Sequence, residues 1–276
     1  MQCQKNTISI DNKICVCYIF TYMGIKERRT KILLALFLLS DVNFSYVGLT
    51  EGLQKAFDLS MNQKTKGSLT GLIKEGLIEK EATASAGKKD SSHVYRLTQK
   101  GFDELCLTFP VFRYLKETWD GKWRILSYEI PEKKRELRDK LRREVAGWGL
   151  GPWHRSFWLT PHPIIGNLKS LVSQKEEEQY IQAFEASHVF GNTDILIEKV
   201  WQKSALDKKY REVFKRWHDI LSRDGEKIHK FERIVNEYVS IIRLDPGLPS
   251  ELLGKGWIGY EAFNIFKEIR GILLTA

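Results

Sequence analysis

The stretch GSLTGLIKEGLIEKE, residues 67–81, restricts the fold more than any other part of this chain. Leu69, Leu72 and Ile73 fall at helical offsets, which gives a helix one apolar face. Gly76 stands where a left-handed backbone ends a helix. LIEKE then leaves as a strand, ATASAGKKDSS forms a small, polar, basic tip, and HVYRLT returns with Val94, Tyr95 and Leu97 apolar. A helix that ends on glycine and runs straight into a hairpin predicts a helix-turn-helix with a β-hairpin wing.

The two earlier helices of such a head are also legible. Residues 26–41, KERRTKILLALFLLSD, carry a wide apolar face that includes Leu33, Leu36 and Phe37. Residues 47–60 predict a short second helix, with Leu49, Leu53, Ala56 and Phe57 apolar and Thr50 at its start. Ser60 and Asn62 are cap-type residues before a third helix over 61–75. The side away from its apolar stripe offers Asn62, Gln63, Lys64, Gly67, Ser68 and Gly71, with Lys66 nearer the flank. In a head of this kind the third helix enters the major groove, where Gln and Lys reach base edges. The wing, with Lys88 and Lys89 at its tip and Arg96 on its return strand, would touch phosphates. Residues 26–100 hold thirteen Lys and Arg against eight Asp and Glu, more than half of the whole chain's excess of +9. That surplus favours a polyanion such as duplex DNA. Three helices and a hairpin can also bind a protein, so an adaptor is the competing reading.

The length of 276 residues points to two or three domains. Residues 1–25 read as an N-terminal extension, because no small-residue cleavage site follows the apolar ICVCYIFTYM. No apolar run approaches the ~18 residues of a membrane span, so no membrane partner is expected. Cys15 and Cys17 lack a second pair at zinc-site spacing, and four cysteines in such a chain suit a reducing cytoplasm. The six histidines lie at no ligand spacing, and there is no P-loop, G-x-G-x-x-G or G-x-S-x-G. No catalytic residue, metal site or cofactor is therefore expected, and the chain is read as a non-enzyme.

Residues 102–122 read as a helical linker interrupted near Pro110. Residues 123–130 predict a strand that Pro131 ends, and 132–146 a helix with Leu137, Leu141 and Val145 inward. Its many Lys and Arg alternate with Glu132, Glu136, Asp139 and Glu144, the pattern of a solvated, ion-paired face. GLGP makes a turn, SFWLT a strand, 167–172 a helix and 180–190 a strand, which outlines a ferredoxin-like β-α-β-β-α-β unit over 123–200. Residues 201–276 read as a helical region, with Tyr210, Phe214, Trp217 and Leu221 on one helix face. The fold class expected is α+β, in three parts.

Several spaced blocks carry a family resemblance. They are W-D-G-x-W-R at 119–124, Glu129-Ile130-Pro131-Glu132, Leu137-Arg138 with Leu141-Arg142, Gly149-x-Gly151-Pro152, and Trp158-Leu159-x-Pro161-His162. To these is added DPGLPSELLGKGWIGYEAFNIF, residues 245–266. The series resembles the PaaX family of transcriptional repressors, regulators of phenylacetic acid degradation. The resemblance implies a homodimer on a partly palindromic operator, released by a small-molecule inducer such as an aryl-CoA thioester. Glu129 stands where an Asp is usual in the family, Gly254 where a proline is usual, and Lys255-Gly256 replace a more acidic pair. An acyl-CoA effector needs cations for its phosphates and an apolar slot. Arg124, Trp153, His154, Arg155 and Trp158 are the candidate ligand residues, with structural tryptophans as the alternative. A CRISPR-associated ferredoxin-like nuclease, holding Mg²⁺ at Glu129, is the enzyme alternative.

Overall fold

The computed structural model describes residues 28–41, 43–82, 93–254 and 256–274. Lys88 and Lys89, and Cys3, Cys15 and Cys17, lie outside the described residues. The fold is mixed, with two antiparallel sheets among many helices.

Helix α1, Arg28–Leu39, is buried almost all round from Ile32 to Leu38. Such a helix has neighbours on every side. Strand β1, Val47–Gly48, precedes α2, Glu51–Ala56, whose first turn is capped by Thr50. Helix α3 is Gln63–Lys74. The Asn62 side chain accepts from the Thr65 backbone N–H at 3.0 Å, a cap worth about 0.5–2 kcal/mol. At the other end Gly76 has φ +71°. Its N–H donates to the Ile73 carbonyl at 2.9 Å, and Leu77 N–H to that of Leu72 at 2.9 Å. These two bonds are the Schellman arrangement, which needs the left-handed residue that glycine supplies without strain. Strands β2, Ile78–Ala82, and β3, His93–Leu97, follow. The first sheet has the order β1-β3-β2.

Helix α4, Gln99–Thr108, packs so close to this sheet that a Cβ on Gly101 would lie 2.0 Å from the Leu77 carbonyl oxygen. A 3₁₀ turn, Pro110–Leu115, takes up the interruption expected at Pro110.

The second sheet comprises β4 (Lys122–Tyr128), β5 (Gly151–His154), β6 (Phe157–Thr160) and β7 (Ile181–Ser187), in the order β5-β6-β4-β7. Helices α5, Arg135–Gly147, and α6, Ile165–Val172, cover one face. Leu126, Tyr128, Leu141, Val145, Trp158, Leu168 and Val172 form the core between them. The element order is β-α-β-β-α-β. Strand β5 lies where the sequence predicts only a turn. Gly149 does turn, at φ +82°, but Gly151 and Pro152 already pair with β6. The last strand is shorter than the expected 180–190, so Phe190 falls in the loop after it.

Five helices end the chain: α7 (Thr193–Trp201), α8 (Lys203–Ser222), α9 (Lys227–Ile242), α10 (Ser250–Leu253) and α11 (Ile258–Leu274). Neither α7 nor α10 is marked by the sequence pattern. The amphipathic stripe of α8 does pack inward, with Tyr210, Val213, Trp217 and Ile220 buried.

These C-terminal helices do not form a core of their own. One continuous apolar cluster runs from α1–α4 into α8, α9 and α11. Phe57 meets Phe231 at 6.4 Å between ring centroids, and Phe37 stacks on Phe263 at 5.9 Å. The Arg270 guanidinium donates to the carbonyls of Leu38 (2.7 Å) and Ser40 (3.2 Å), closing the C-terminal end of α1. A cation there also suits the helix dipole. The second sheet joins this body through Trp123 and Leu159, and Trp123 stacks on Trp201 at 6.0 Å.

Candidate nucleic-acid interface

Helix α3 is held from below and left open above. Thr65, Leu69 and Leu72 are its buried residues. The Thr65 hydroxyl donates to the Ser60 carbonyl at 2.5 Å and accepts from Arg28 at 2.8 Å. On the other side Asn62, Gln63, Lys64, Lys66, Gly67 and Thr70 are exposed. A Cβ built on Gly67 would meet nothing within 4 Å, so this face is clear of the rest of the described chain. The expected set is not uniform. Asn62 is occupied as the cap. The Ser68 hydroxyl is turned back to the Lys64 carbonyl at 3.0 Å. A Cβ built on Gly71 would lie 3.7 Å from the Arg29 guanidinium, which is bridged to Glu75. Lys64 and Lys66 form no ion pair among the described residues, so their charge is available to a partner.

Arg96 lies on β3. It rests 5.9 Å from the Tyr46 ring centroid, 3.9 Å from a Glu79 carboxylate oxygen, and donates to the Asn43 carbonyl at 3.5 Å.

The five candidate ligand residues do not form one site. Trp158 is buried, and its indole N–H donates to the Tyr128 hydroxyl at 3.2 Å. Arg124 is also buried, bonded to Asp120 (2.5 Å), to Glu185 (3.2 Å) and to the Pro161 carbonyl (3.2 Å). Strand alternation separates them from Trp153, which meets Phe157 edge-on at 5.6 Å on the opposite sheet face. His154 stacks beside Trp153 at 6.0 Å, and Arg155 is the next residue. Lys199 of α7, which the sequence reading missed, lies 5.8 Å from the Trp153 ring centroid. Its distance along the chain hid it.

Glu129 is exposed, and its backbone N–H donates to the Tyr180 carbonyl at 2.9 Å. Among the described residues no group of three or more His, Cys, Asp or Glu is arranged to hold a metal ion, and no helix is long and apolar enough to cross a membrane.

The 245–262 blocks meet at a junction of three regions. Asp245 is wholly buried. Burial raises its carboxyl above the usual range, against hydrogen bonds from Tyr210, the Gly247 N–H and Trp257. The Tyr210 hydroxyl is 2.6 Å away and the Gly247 nitrogen 2.8 Å. A Cβ on Gly247 would fall 2.3 Å from the Pro110 backbone, and one on Gly259 would strike Trp257 at 2.5 Å. His162 donates from Nε2 to the Pro246 carbonyl at 2.7 Å, tying the second sheet to the same turn. Burial, with Arg113 and Arg124 adding repulsion, lowers the His162 pKa to about 3. At Asp245, Gly247 and Gly259 the motif spacing thus reflects packing, whereas a Cβ on Gly254 or Gly256 would meet nothing within 4 Å.

Residues 116–196 match the PaaX protein central Cas2-like domain, and residues 201–276 match the PaaX-like protein C-terminal domain. Together they cover more than half of the chain. The chain belongs to the PaaX family. Among curated proteins, this PaaX-family chain is 22% identical over 213 residues to the transcriptional repressor PaaX of Escherichia coli K12. That match covers 70% of this chain and 66% of the relative, just under two thirds of its length. Among solved structures, an uncharacterized protein of Mycobacterium tuberculosis, Rv0674, is similar with a TM-score of 0.46 at 16% identity, over 92% of this chain and 100% of that one.

Proposed function

We propose that this PaaX-family chain is a DNA-binding transcriptional repressor, not an enzyme, that works in the cytoplasm as a homodimer on operator DNA. In this reading residues 26–101 are a winged helix, 123–200 a ferredoxin-like unit and 201–276 a helical region. The carrying observation is the open N-terminal half of α3, where Gln63, Lys64, Lys66 and Gly67 face solvent on a firmly seated helix. The N-terminal residues of a recognition helix are the ones that contact base edges in the major groove. Glycine at position 67 lets a backbone or phosphate approach closely. The second sheet's order, with its first and third strands central, supports the ferredoxin-like assignment.

Release would follow from an inducer, an acyl-CoA-type molecule in the family expectation, that binds the DNA-incompetent arrangement more tightly. The corner formed by Trp153, His154, Arg155 and Lys199 supplies an aromatic face and cations for such a ligand. Arg124 and Trp158 take no part, since both are consumed in the sheet.

The test is retention of a duplex from the gene's own promoter region, followed by fluorescence anisotropy across a salt series. Affinity should fall steeply as salt rises. Lys64→Ala should reduce the slope of log K against log salt by about 0.9 if it contacts one phosphate. Gln63→Ala should change sequence preference. A chain that retains no duplex at low ionic strength refutes the reading.

A further inference from the structure

We propose that the outer edge of β7, with the apolar residues beside it, is the surface on which two copies of this chain join. The proposal deepens the dimer of the reading above and rests on it for its biological use.

Strand β7 pairs with β4 on one side and has no strand partner on the other among the described residues. An open edge of seven residues is a template for another strand, and proteins that keep such an edge free normally blunt it with charge, proline or a bulge. The sequence IQAFEAS has no proline and no lysine. Its one charge, Glu185, is already bound to Arg124 and Lys122 within the chain.

The surroundings include exposed apolar side chains. Phe184 is 52% exposed, Ile195 67%, and Val189 and Phe190 91% each. Phe184, Val189 and Phe190 lie on β7 and in the loop that follows it, whereas Ile195 is on α7, which packs against β5 at the other edge of the sheet. With roughly 150–250 Å² for a large side chain, the exposures of Phe184, Val189 and Phe190 amount to roughly 400 Å² per copy. Two copies then bury about 800 Å² of side chain, and pairing of two seven-residue strands carries the total toward the ~1,000 Å² at which an interface becomes specific.

The strand also fits its own copy. A two-fold axis through an antiparallel pair sets one residue opposite itself. Centred on Phe184, the register sets Glu185 against Ala183 and Gln182 against Ala186, with no like charges opposed. Centring on Glu185 would oppose two carboxylates, which is unfavourable. The Phe184 register also continues the row in which Ile125 of β4 pairs with Phe184, so that four apolar side chains line up across the axis.

The experiment uses the full chain and light scattering coupled to size exclusion. The parent should run as a dimer at micromolar concentration, and Phe184→Arg as a monomer with an unchanged circular dichroism spectrum and melting temperature. In a background with Cys3, Cys15 and Cys17 changed to serine, Phe184→Cys should form a covalent dimer on mild oxidation. Opposed residues of an antiparallel pair have Cβ atoms ~4.5–5.5 Å apart, within reach of disulfide formation. Ala186→Cys should not cross-link, because its partner in this register is Gln182. A monomeric parent, a dimer untouched by Phe184→Arg, or cross-linking at 186 and not at 184 would each overturn the proposal. So would a parent that dimerises only after residues 1–25 are removed, since the face would then belong to the chain's own N-terminal segment. Duplex retention is scored separately: a dimer held elsewhere that still binds DNA refutes this interface alone, and a β7 dimer that binds none refutes the repressor reading alone.

Discussion

Phe231→Ala tests the union of the head with the C-terminal helices. Phe231 is fully buried on α9, 6.4 Å from Phe57 and 6.1 Å from Phe266 between ring centroids. A Cβ on Gly52 of α2 would lie 3.2 Å from Ile228, so α2 is already pressed against α9 and has little room to collapse into the vacancy. A buried Phe→Ala change in a site that cannot close costs about 3–5 kcal/mol. If head and C-terminal region unfold together, that cost appears in both. Trp217, buried beside Tyr238 and Phe266, reports the C-terminal region by fluorescence in a urea titration. The head has no tryptophan, since all eight lie from residue 119 onward, so amide hydrogen exchange in α3 reports it. At ~1.4 kcal/mol per tenfold change, the most protected α3 amides should exchange about two to three and a half powers of ten faster in the variant. A shifted Trp217 transition with unchanged exchange in α3 would show that the head is stable alone, and the shared-core argument would fail.

Other perturbations probe the remaining contacts. Gly101→Ala should prevent folding to soluble protein, because its methyl would meet backbone oxygen at 2.0 Å; normal yield with an unchanged melting temperature would contradict that packing. Tyr210→Phe removes a donor from the buried Asp245 carboxylate and should cost about 1–3 kcal/mol by denaturant titration, with a loss under 0.5 kcal/mol arguing against the bond. The depressed His162 pKa means that the unfolded chain binds the extra proton between about pH 6.5 and about 3. Stability should therefore fall with pH through that window, by up to about 1.4 kcal/mol per unit, and less steeply in His162→Gln. Equal slopes in the two proteins would count against a buried neutral imidazole.

Local chemistry was the legible part. Asn62 and Gly76 punctuate α3 because a cap and a left-handed turn each need a particular side chain at one position. The strand at 151–154 was hidden because glycine and proline signal a turn, and only its pairing with β6 makes it a strand. The amphipathic stripes of α8 and α9 announced burial without naming what would cover them, so the sharing of one core with the head was invisible. Alternation divides the candidate ligand residues: Trp153 and Trp158 are near in sequence, yet project from opposite faces of one hairpin. Contacts such as that of Arg270 with Leu38 and Ser40, 232 and 230 residues apart, leave no trace in local composition.

That last contact orders events during synthesis. The carbonyls closing α1 wait for a guanidinium near the far terminus, and at ~5–20 residues per second the delay is roughly 10–50 s. For that interval the nascent amino-terminal segment presents uncovered phenylalanine and leucine surface to the cell's chaperones. A ribosome that stops before α11 releases a product without its lock.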